Sequence, residues 1–313
     1  MKKILFIATG GTIASGPSPE GLVPELSASE LLSGVSLPEA EIHAVQPFSL
    51  DSTNLVPEHW TQLAAIVRDG WQDFDGFVIA HGTDTMGYGA AALSCLIQHA
   101  DKPVVFTGAQ LPAKTPGTDA ERNLGDAFRC AVMGSGGVWV CFNGRVINGR
   151  AARKVHTHDF DAYRGFTPED EQTVGEFCAG GSEPDGGTVF YNRLNSSAAV
   201  LKLTPGISAE MVHDFGTHVN ALVIEGFGMG GVPEGLSGVI EQLISCNVRV
   251  IMTTQVHGGG CDLSVYEVGR KALKAGAIPA EGMTTEYAVM RSMWALAYTY
   301  TAEDFRNLFL GVR

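Results

Sequence analysis

Residues 4–15 read ILFIATGGTIAS, and this stretch decides the fold of the first part of the chain. The apolar, β-branched run at 4–7 predicts a buried strand. The run ends at Thr9, and the Gly-Gly pair at 10–11 allows backbone angles closed to other residues and lets the main chain approach a ligand. The spacing matches neither a phosphate loop nor a dinucleotide loop. A tight turn is the simplest interpretation, and a hinge that presents the Thr12 hydroxyl is the functional one.

A second stretch, FVIAHGTDTM at 77–86, repeats this arrangement. The apolar run at 77–80 predicts a strand, and Thr83 and Asp84 follow its carboxyl end, where ligands bind in an open parallel sheet. A helix predicted from Met86 onward would need an N-cap, and threonine or aspartate can provide one. Capping and catalysis are compatible, so both interpretations stay open.

A third element can supply a base. Residues 138–142 predict a strand, a turn follows, and Lys154 comes shortly after it. Most lysines are only solvent-exposed charges. A lysine accepts a proton near neutral pH only where burial and cationic neighbours lower its pKa.

Composition predicts a globular protein with a small-molecule partner. The chain has 313 residues, of which 45% are hydrophobic and 18% charged, which suits two α/β domains. The net charge of −13 argues against nucleic acid as a partner. No run of 18 apolar residues predicts a membrane span, and the apolar run after Lys3 is too short for a signal peptide, so the expected location is the cytoplasm.

The six cysteines contain no C-x-x-C pair, and the nine histidines contain no H-E-x-x-H pattern. We therefore expect neither a structural disulfide, nor a metal, nor another cofactor.

Strands and helices alternate along the chain, which indicates right-handed βαβ units. The predicted fold is α/β with two domains, each a largely parallel sheet flanked by helices. The larger N-terminal domain, residues 1–178, carries the catalytic motifs. Residues 179–197 have the composition of a linker, and 198–313 form the C-terminal domain.

Five motifs together resemble the bacterial L-asparaginase family, nearest its cytoplasmic type I branch. They are TGGTIAS at 9–15, LDST at 50–53, HGTDTM at 81–86, FTGAQLP at 106–112 and RKVHTHDFDAY at 153–163. The first and third, in this order and about seventy residues apart, are specific as a pair. The similarity extends over essentially the whole chain.

The resemblance implies hydrolysis of L-asparagine to L-aspartate and ammonia through a threonine acyl-enzyme. Thr12 would attack the side-chain amide carbon, and Thr83 would belong to a second cluster with Lys154 as base. Asp84 would orient either Lys154 or the substrate amine. A lysine between a hydroxyl and a carboxylate ordinarily stays protonated. Either its burial is substantial or the cluster shares protons as a unit, and the sequence leaves both open.

The resemblance also implies a set of substrate-binding residues: Gly11, Asp51, Ser52, Thr53, Ala109 and Glu286. The turn at 51–53 would bind the α-carboxylate, and the main chain around Ala109 would meet the amide. Glu286 would bind the ammonium group of a neighbouring subunit's substrate, so we expect a homodimer or homotetramer. The alternatives are that Asp51 and Ser52 form only a turn and that Glu286 only begins a helix.

The chain departs from the family pattern at two positions. Leu22 stands where the family's mobile loop commonly carries a tyrosine, and Gly231 stands where an asparagine often holds the carboxylate matched by Glu286. Turn-forming residues at 16–21 predict a mobile flap over Thr12. These departures bear on substrate choice and rate more than on the class of reaction.

Two other functions remain alternatives. One is a glutaminase-asparaginase or related carboxamide hydrolase, and the other is a non-catalytic amino-acid sensor on the same fold. A sensor would not need two hydroxyls and a basic lysine. Ammonia release from asparagine, measured beside glutamine, distinguishes all three functions.

Overall fold

The computed structural model describes residues 1–19, 21–180 and 187–312, with the side chains of Pro17, Ser18 and Leu22 outside that description. The chain divides into two compact units, Met1–Asn192 and Arg193–Arg313. The expectation for the Leu22 side chain and the middle of the expected linker, 181–186, therefore fall outside the described part. The boundaries at 178 and 198 stay a prediction.

Unit 1 is built on a seven-stranded sheet. Its strands are β1 (Lys3–Ala8), β4 (Glu41–Val45), β5 (Gly76–Ala80), β7 (Pro103–Thr107), β8 (Gly137–Phe142), β9 (Arg145–Asn148) and β12 (Glu171–Thr173), in the spatial order β12-β9-β8-β7-β5-β1-β4. In that order, the neighbouring strands from β8 to β4 pair in parallel. Strand β9 pairs antiparallel with both of its neighbours, β8 and β12. Every residue of β5 and β7 is buried, as expected for a parallel sheet covered on both faces.

The helices of unit 1 are α1 (Ala28–Leu32), α2 (Pro57–Asp69), α3 (Met86–Leu96), α4 (Ala120–Met133) and α5 (Val174–Ala179). Phe6 of β1 packs against α4, with its ring centroid 5.6 Å from that of Phe128. Phe77 of β5 lies in register with Leu5 and therefore on the face of the sheet opposite to Phe6. Its ring stacks on that of Trp71, with 5.3 Å between the ring centroids. Alternating side chains thus fill two layers of core.

Three short strand pairs complete unit 1. They are β2 (Ser15–Ser18) with β3 (Gly21–Pro24), β6 (Ile97–Gln98) with β13 (Val189–Phe190), and β10 (Arg153–Lys154) with β11 (Tyr163–Arg164), all antiparallel. The described residues on either side of Glu20 in the segment expected as a flap are therefore paired strands. The pairing gives its backbone regular hydrogen bonds, although its sequence has no apolar periodicity.

Unit 2 has its own parallel sheet, β14 (Ala198–Lys202), β15 (Ala221–Gly226), β16 (Arg249–Thr254) and β17 (Ile278–Pro279). Its helices are α6 (Ala209–Gly216), α7 (Ser237–Ser245), α8 (Glu267–Ala275), α9 (Thr285–Tyr298) and α10 (Ala302–Leu310). A separate apolar cluster, including Leu222, Ile240 and Met252, forms its core. The predicted fold class is confirmed. In the described part of the chain, no helix is long and apolar enough to cross a bilayer.

Candidate active site

The loops that follow β1 and β5 touch through their glycines. Gly11 has a φ of +74°, and a β-carbon on it would lie 2.3 Å from the Cα of Gly82. A β-carbon on Gly82 would in turn lie 2.6 Å from the hydroxyl oxygen of Ser52. Because no side chain fits at Gly11 or Gly82, glycine is required at both positions for the segments around Gly11, Ser52 and Gly82 to come into contact.

Thr12 and Thr83 each come directly after one of the two touching glycines. The contact therefore brings both threonines to the same edge of the sheet, where the parallel strands β1 and β5 end. Thr12 opens a single 3₁₀ turn, Thr12–Ala14, which the Ser15 hydroxyl closes by donating to the Gly11 carbonyl at 2.9 Å. Thr12 itself is partly exposed.

Thr83, Lys154 and Asp84 form a hydrogen-bonded cluster. The Lys154 ammonium donates to the Thr83 hydroxyl at 2.8 Å and to the Asp84 carboxylate at 2.7 Å. Thr83 is buried and the Lys154 side chain is 19% exposed, whereas the Asp84 side chain is 58% exposed. The cluster therefore runs from the interior to solvent, with the lysine in the middle.

The side chain of Gln110 extends this cluster at its buried end. The Thr83 hydroxyl donates to Gln110 Oε1 at 3.2 Å. The Gln110 amide nitrogen donates to the carbonyls of Thr157 and Asp159 at 3.1 and 3.0 Å. These two carbonyls can only accept, so they fix the amide with its oxygen toward Thr83.

A hairpin whose two strands have two residues each positions the lysine. Lys154 on β10 lies opposite Tyr163 on β11. The buried Tyr163 hydroxyl donates to the main-chain carbonyl of Thr83, so both strands of the hairpin hold the same threonine. The connecting loop folds onto His156, whose Nδ1 accepts from the amide of Asp159 at 2.8 Å.

Two buried polar residues of α4 and its N-cap hold the loop after β7. The Asp119 carboxylate accepts from the main-chain N–H of Gln110 at 3.0 Å. The side chain of Asn123 donates to the Gly108 carbonyl at 2.9 Å. Asn123 also donates to Asp119 at 3.0 Å. Ala109, between these anchors, is fully buried. Nothing in the motif pattern singled out Asp119 or Asn123, because they act through contacts with the loop.

In the turn at 51–53, two side chains bond to each other and the third contacts a glycine loop. The Asp51 carboxylate accepts from the amide of Thr53 at 2.8 Å and from its hydroxyl at 2.7 Å, which caps the Ser52–Asn54 turn. Ser52 is buried against Gly82. The geometry thus places Ser52 beside the two glycine loops and engages the side chains of Asp51 and Thr53 with each other.

The imidazole of His81 is buried behind the loop. Its Nε2 accepts from the Trp60 indole at 3.3 Å, which leaves Nδ1 to donate to the Gly82 carbonyl at 2.8 Å. Burial lowers the pKa of His81 to about 4, although the Gly82 hydrogen bond opposes the shift. This residue is therefore neutral at pH 7, and its place in the HGTDTM motif was the signal that could have drawn attention to it.

Two family models match the chain in succession. The model described as "Asparaginase, N-terminal" matches residues 3–181, and the one described as "Glutaminase/Asparaginase C-terminal domain" matches 198–309. The chain belongs to the asparaginase family.

Relatives within and around this family cover nearly the whole chain. The L-asparaginase of Thermococcus kodakarensis is 37% identical over 98% of this chain and 96% of its own length. Its solved structure has a TM-score of 0.89 at 34% identity, covering 98% of this chain and 96% of that one. A glutamyl-tRNA(Gln) amidotransferase subunit of Pyrococcus abyssi is 35% identical over 99% of this chain and 75% of its own length.

A third relative is a solved structure from Campylobacter jejuni described as "Probable Cytoplasmic L-asparaginase". It has a TM-score of 0.80 at 25% identity, and the match covers 99% of both chains.

Glu286 belongs to unit 2, unlike the other candidate residues of this asparaginase-family chain. It lies in the first turn of α9, which Thr284 caps by accepting from the amide of Tyr287 at 3.1 Å. Next to it, the Thr285 hydroxyl donates to the buried carboxylate of Glu225 at 2.6 Å. Gly231, the second departure from the family pattern, pairs its main chain with that of Phe227.

No group of three metal-ligating side chains capable of holding an ion occurs in the part of the chain that the structure describes. The six cysteines are free thiols.

Proposed function

We propose that this chain hydrolyses L-asparagine to L-aspartate and ammonia through an acyl-enzyme on Thr12. The observation that carries the proposal is the meeting of two threonines on touching glycine loops, one of them hydrogen-bonded to a lysine and a carboxylate. Hydrolysis of a carboxamide needs a nucleophile, a proton acceptor and a proton for the departing ammonia. This cluster contains groups of each kind.

In the first step the Thr12 oxygen attacks the side-chain amide carbon, and the C–N bond breaks as the nitrogen takes up a proton. The product of this step is an aspartyl ester on Thr12 and free ammonia. In the second step a water molecule attacks the ester carbon and the C–O bond to Thr12 breaks, which releases aspartate. A proton of that water passes to the Thr12 oxygen and restores its hydroxyl. The partial exposure of Thr12, on the glycine loop that touches Gly82, supports its role as the nucleophile.

Protons move through the cluster of Thr83, Lys154 and Asp84. Lys154 lies between the Thr83 hydroxyl and the Asp84 carboxylate, so a proton that leaves Thr83 can pass to Asp84 through the amine. Asp84, 2.7 Å away and the most exposed of the three, is placed to receive that proton and to exchange it with water.

Recognition of the substrate depends on the α-carboxylate, the ammonium group and the side-chain amide of asparagine. Gly11, Ala109 and the turn at 51–53 would bind the substrate, and the contact of Ser52 with Gly82 supports its part in this. Glu286 would bind the ammonium group in a neighbouring subunit's site, which requires at least a homodimer. We place the protein in the cytoplasm, as the name of the Campylobacter jejuni relative supports.

The test is ammonia release from asparagine and from glutamine. A pocket fitted to asparagine discriminates against one additional methylene by about 1–3 kcal/mol, so we expect asparagine to be preferred by roughly ten- to a few hundred-fold in kcat/KM. Equal values would contradict asparagine selectivity and favour the glutaminase-asparaginase alternative. Saturable binding of amino acids without ammonia release would favour the sensor.

Trapping the acyl-enzyme separates the roles of the two threonines. Thr83→Val or Lys154→Met should slow both steps and leave an aspartyl adduct on Thr12, detectable by mass spectrometry, whereas Thr12→Ala should abolish acylation. Because these residues act as a unit, a double variant should be little slower than a single one. An adduct on Thr83 would reverse the assignment.

A further inference from the structure

A cavity of about 230 Å³ lies in unit 2 at the amino end of its sheet. Arg249 begins β16 and Ile278 begins β17, and both line the cavity. Glu286 lies instead beside the carboxyl end of β15, because its neighbour Thr285 bonds to Glu225. The cavity is therefore separate from the residue of unit 2 implicated in asparagine binding.

Two arginines face this cavity without a carboxylate partner. Neither Arg249 nor Arg306 has an acidic group within 4 Å among the described residues, although Glu303 also lines the cavity. In a chain with a net charge of −13, two arginines without an ion pair among the described residues that line one cavity are unexpected. Together they favour an anion.

Arg249 is the stronger of the two observations because it is buried. Only 9% of the residue is exposed, and its Nε–H has no acceptor in the described part of the chain. Its other nitrogens reach only main-chain carbonyls, those of Asn247 and Tyr300. Burial lowers the pKa of Arg249, which is the cost of holding a cation there without a counter-charge.

The rest of the wall limits what the anion can be. Ile244, Val248 and Ile278 supply apolar surface, and α10, which carries Glu303 and Asp304 in its first turn, contributes Ala302 to the same wall. A guanidinium binds a planar carboxylate in a bidentate manner. We propose that this cavity binds a small organic carboxylate with a short branched aliphatic body.

The experiment compares two molecules of nearly the same shape, isovalerate and its neutral amide, isovaleramide, by calorimetry and by the shift in Tm. Isovalerate lacks an α-ammonium group, so the asparagine site does not favour it. We expect saturable binding and a rise in Tm with isovalerate, and neither with isovaleramide. Equal effects of the two molecules would overturn the proposal, because the charge would then play no part.

Variants locate the binding. Arg306→Gln should weaken isovalerate binding roughly ten- to a hundredfold, the usual effect of losing a hydrogen bond to a charged group. Arg306 is partly exposed and holds one carbonyl, that of Ala277, so this variant should fold even if Arg249→Gln does not. Glu303→Gln should tighten binding by removing the like charge.

The matched control is Arg270→Gln, which removes an arginine charge from α8, away from the cavity. Its affinity for isovalerate should equal that of the unaltered protein. Unchanged affinity in Arg306→Gln would overturn the proposal. So would binding of inorganic phosphate in place of isovalerate, because the apolar wall would then have no role in selecting the ligand.

Discussion

The imidazole of His81 illustrates how one buried residue couples the candidate site to pH. Its pKa of about 4 in the folded chain lies below the ordinary value of 6.5, because burial disfavours the charged ring. Between these two values the unfolded chain binds a proton at this residue that the folded chain does not. The free energy of unfolding therefore falls as pH drops from about 6.5 to 4, and this contribution is constant below that range.

We predict a loss on the order of 3 kcal/mol from this residue across that window. The measurement is the free energy of unfolding from urea titrations at several pH values, for the unaltered protein and for His81→Asn. Asparagine keeps a donor near the Gly82 carbonyl but does not titrate. Parallel pH curves for the two proteins would show that His81 contributes nothing to the acid response.

Sequence patterns identified some residues of the cluster better than others. Thr83, Asp84 and Lys154 stand in motifs, so the sequence could nominate them, and their hydrogen bonds agree with a shared cluster. The side chain of Gln110 was not nominated, since the motif suggested only main-chain contacts there. Its orientation depends on carbonyls almost fifty residues away, which no local pattern encodes.

At the scale of elements, the short hairpin of β10 and β11 holds Thr83 through both of its strands. Tyr163→Phe removes the donor to the Thr83 carbonyl and leaves that buried group unsatisfied, which costs about 1–3 kcal/mol of stability. We expect kcat to fall by roughly tenfold, because a misplacement of Thr83 disturbs proton transfer, and KM to change little.

Steady-state kinetics and Tm measure both effects. Tyr300→Phe is the matched control, since that side chain is 96% exposed and lies in unit 2, so neither kcat nor Tm should change. A Tyr163→Phe protein with a lowered Tm and an unaltered kcat would contradict a positioning role and leave only a structural one.

The same scale shows where sequence reasoning works and where it stops. Buried parallel strands such as β5 and β16 are unbroken apolar runs, and amphipathic α4 has helical spacing, so each could be predicted from its own residues. Strands of two residues have no such signal. The pairing of Lys154 with Tyr163 depends on the fold that brings them together, not on local preference.

At the scale of the whole molecule, the order of the strands assembles the site. Thr12 and Thr83 are seventy-one residues apart in the chain, and Lys154 is another seventy-one residues further. The two threonines come together because β1 and β5 are neighbours in one parallel sheet, so their carboxyl ends lie at one edge. Lys154 reaches Thr83 from the separate hairpin of β10 and β11. Spacing alone could not supply this order, which is why the resemblance to a family decided the roles of these residues.

Subunit mixing tests whether the site also needs a second copy of the chain. If Glu286 completes a neighbour's site, a hybrid of one Thr12→Ala and one Glu286→Ala subunit has one intact site and one that carries both changes. Random exchange makes about half of the pairs hybrid, so activity should return to roughly a quarter of that of the unaltered protein. Each variant alone should be nearly inactive.

The control mixes Thr12→Ala with Lys154→Met, two changes in unit 1. If Thr12 and Lys154 of one chain serve the same site, every site in this mixture carries one of the two changes, and activity should not return. Restoration in the first mixture alone would place Thr12 and Glu286 of different chains in one site. Failure of the first mixture, with subunit exchange proven by mass-labelled chains, would mean that Glu286 acts within its own chain or outside the site, because exchange had then offered every possible composite site.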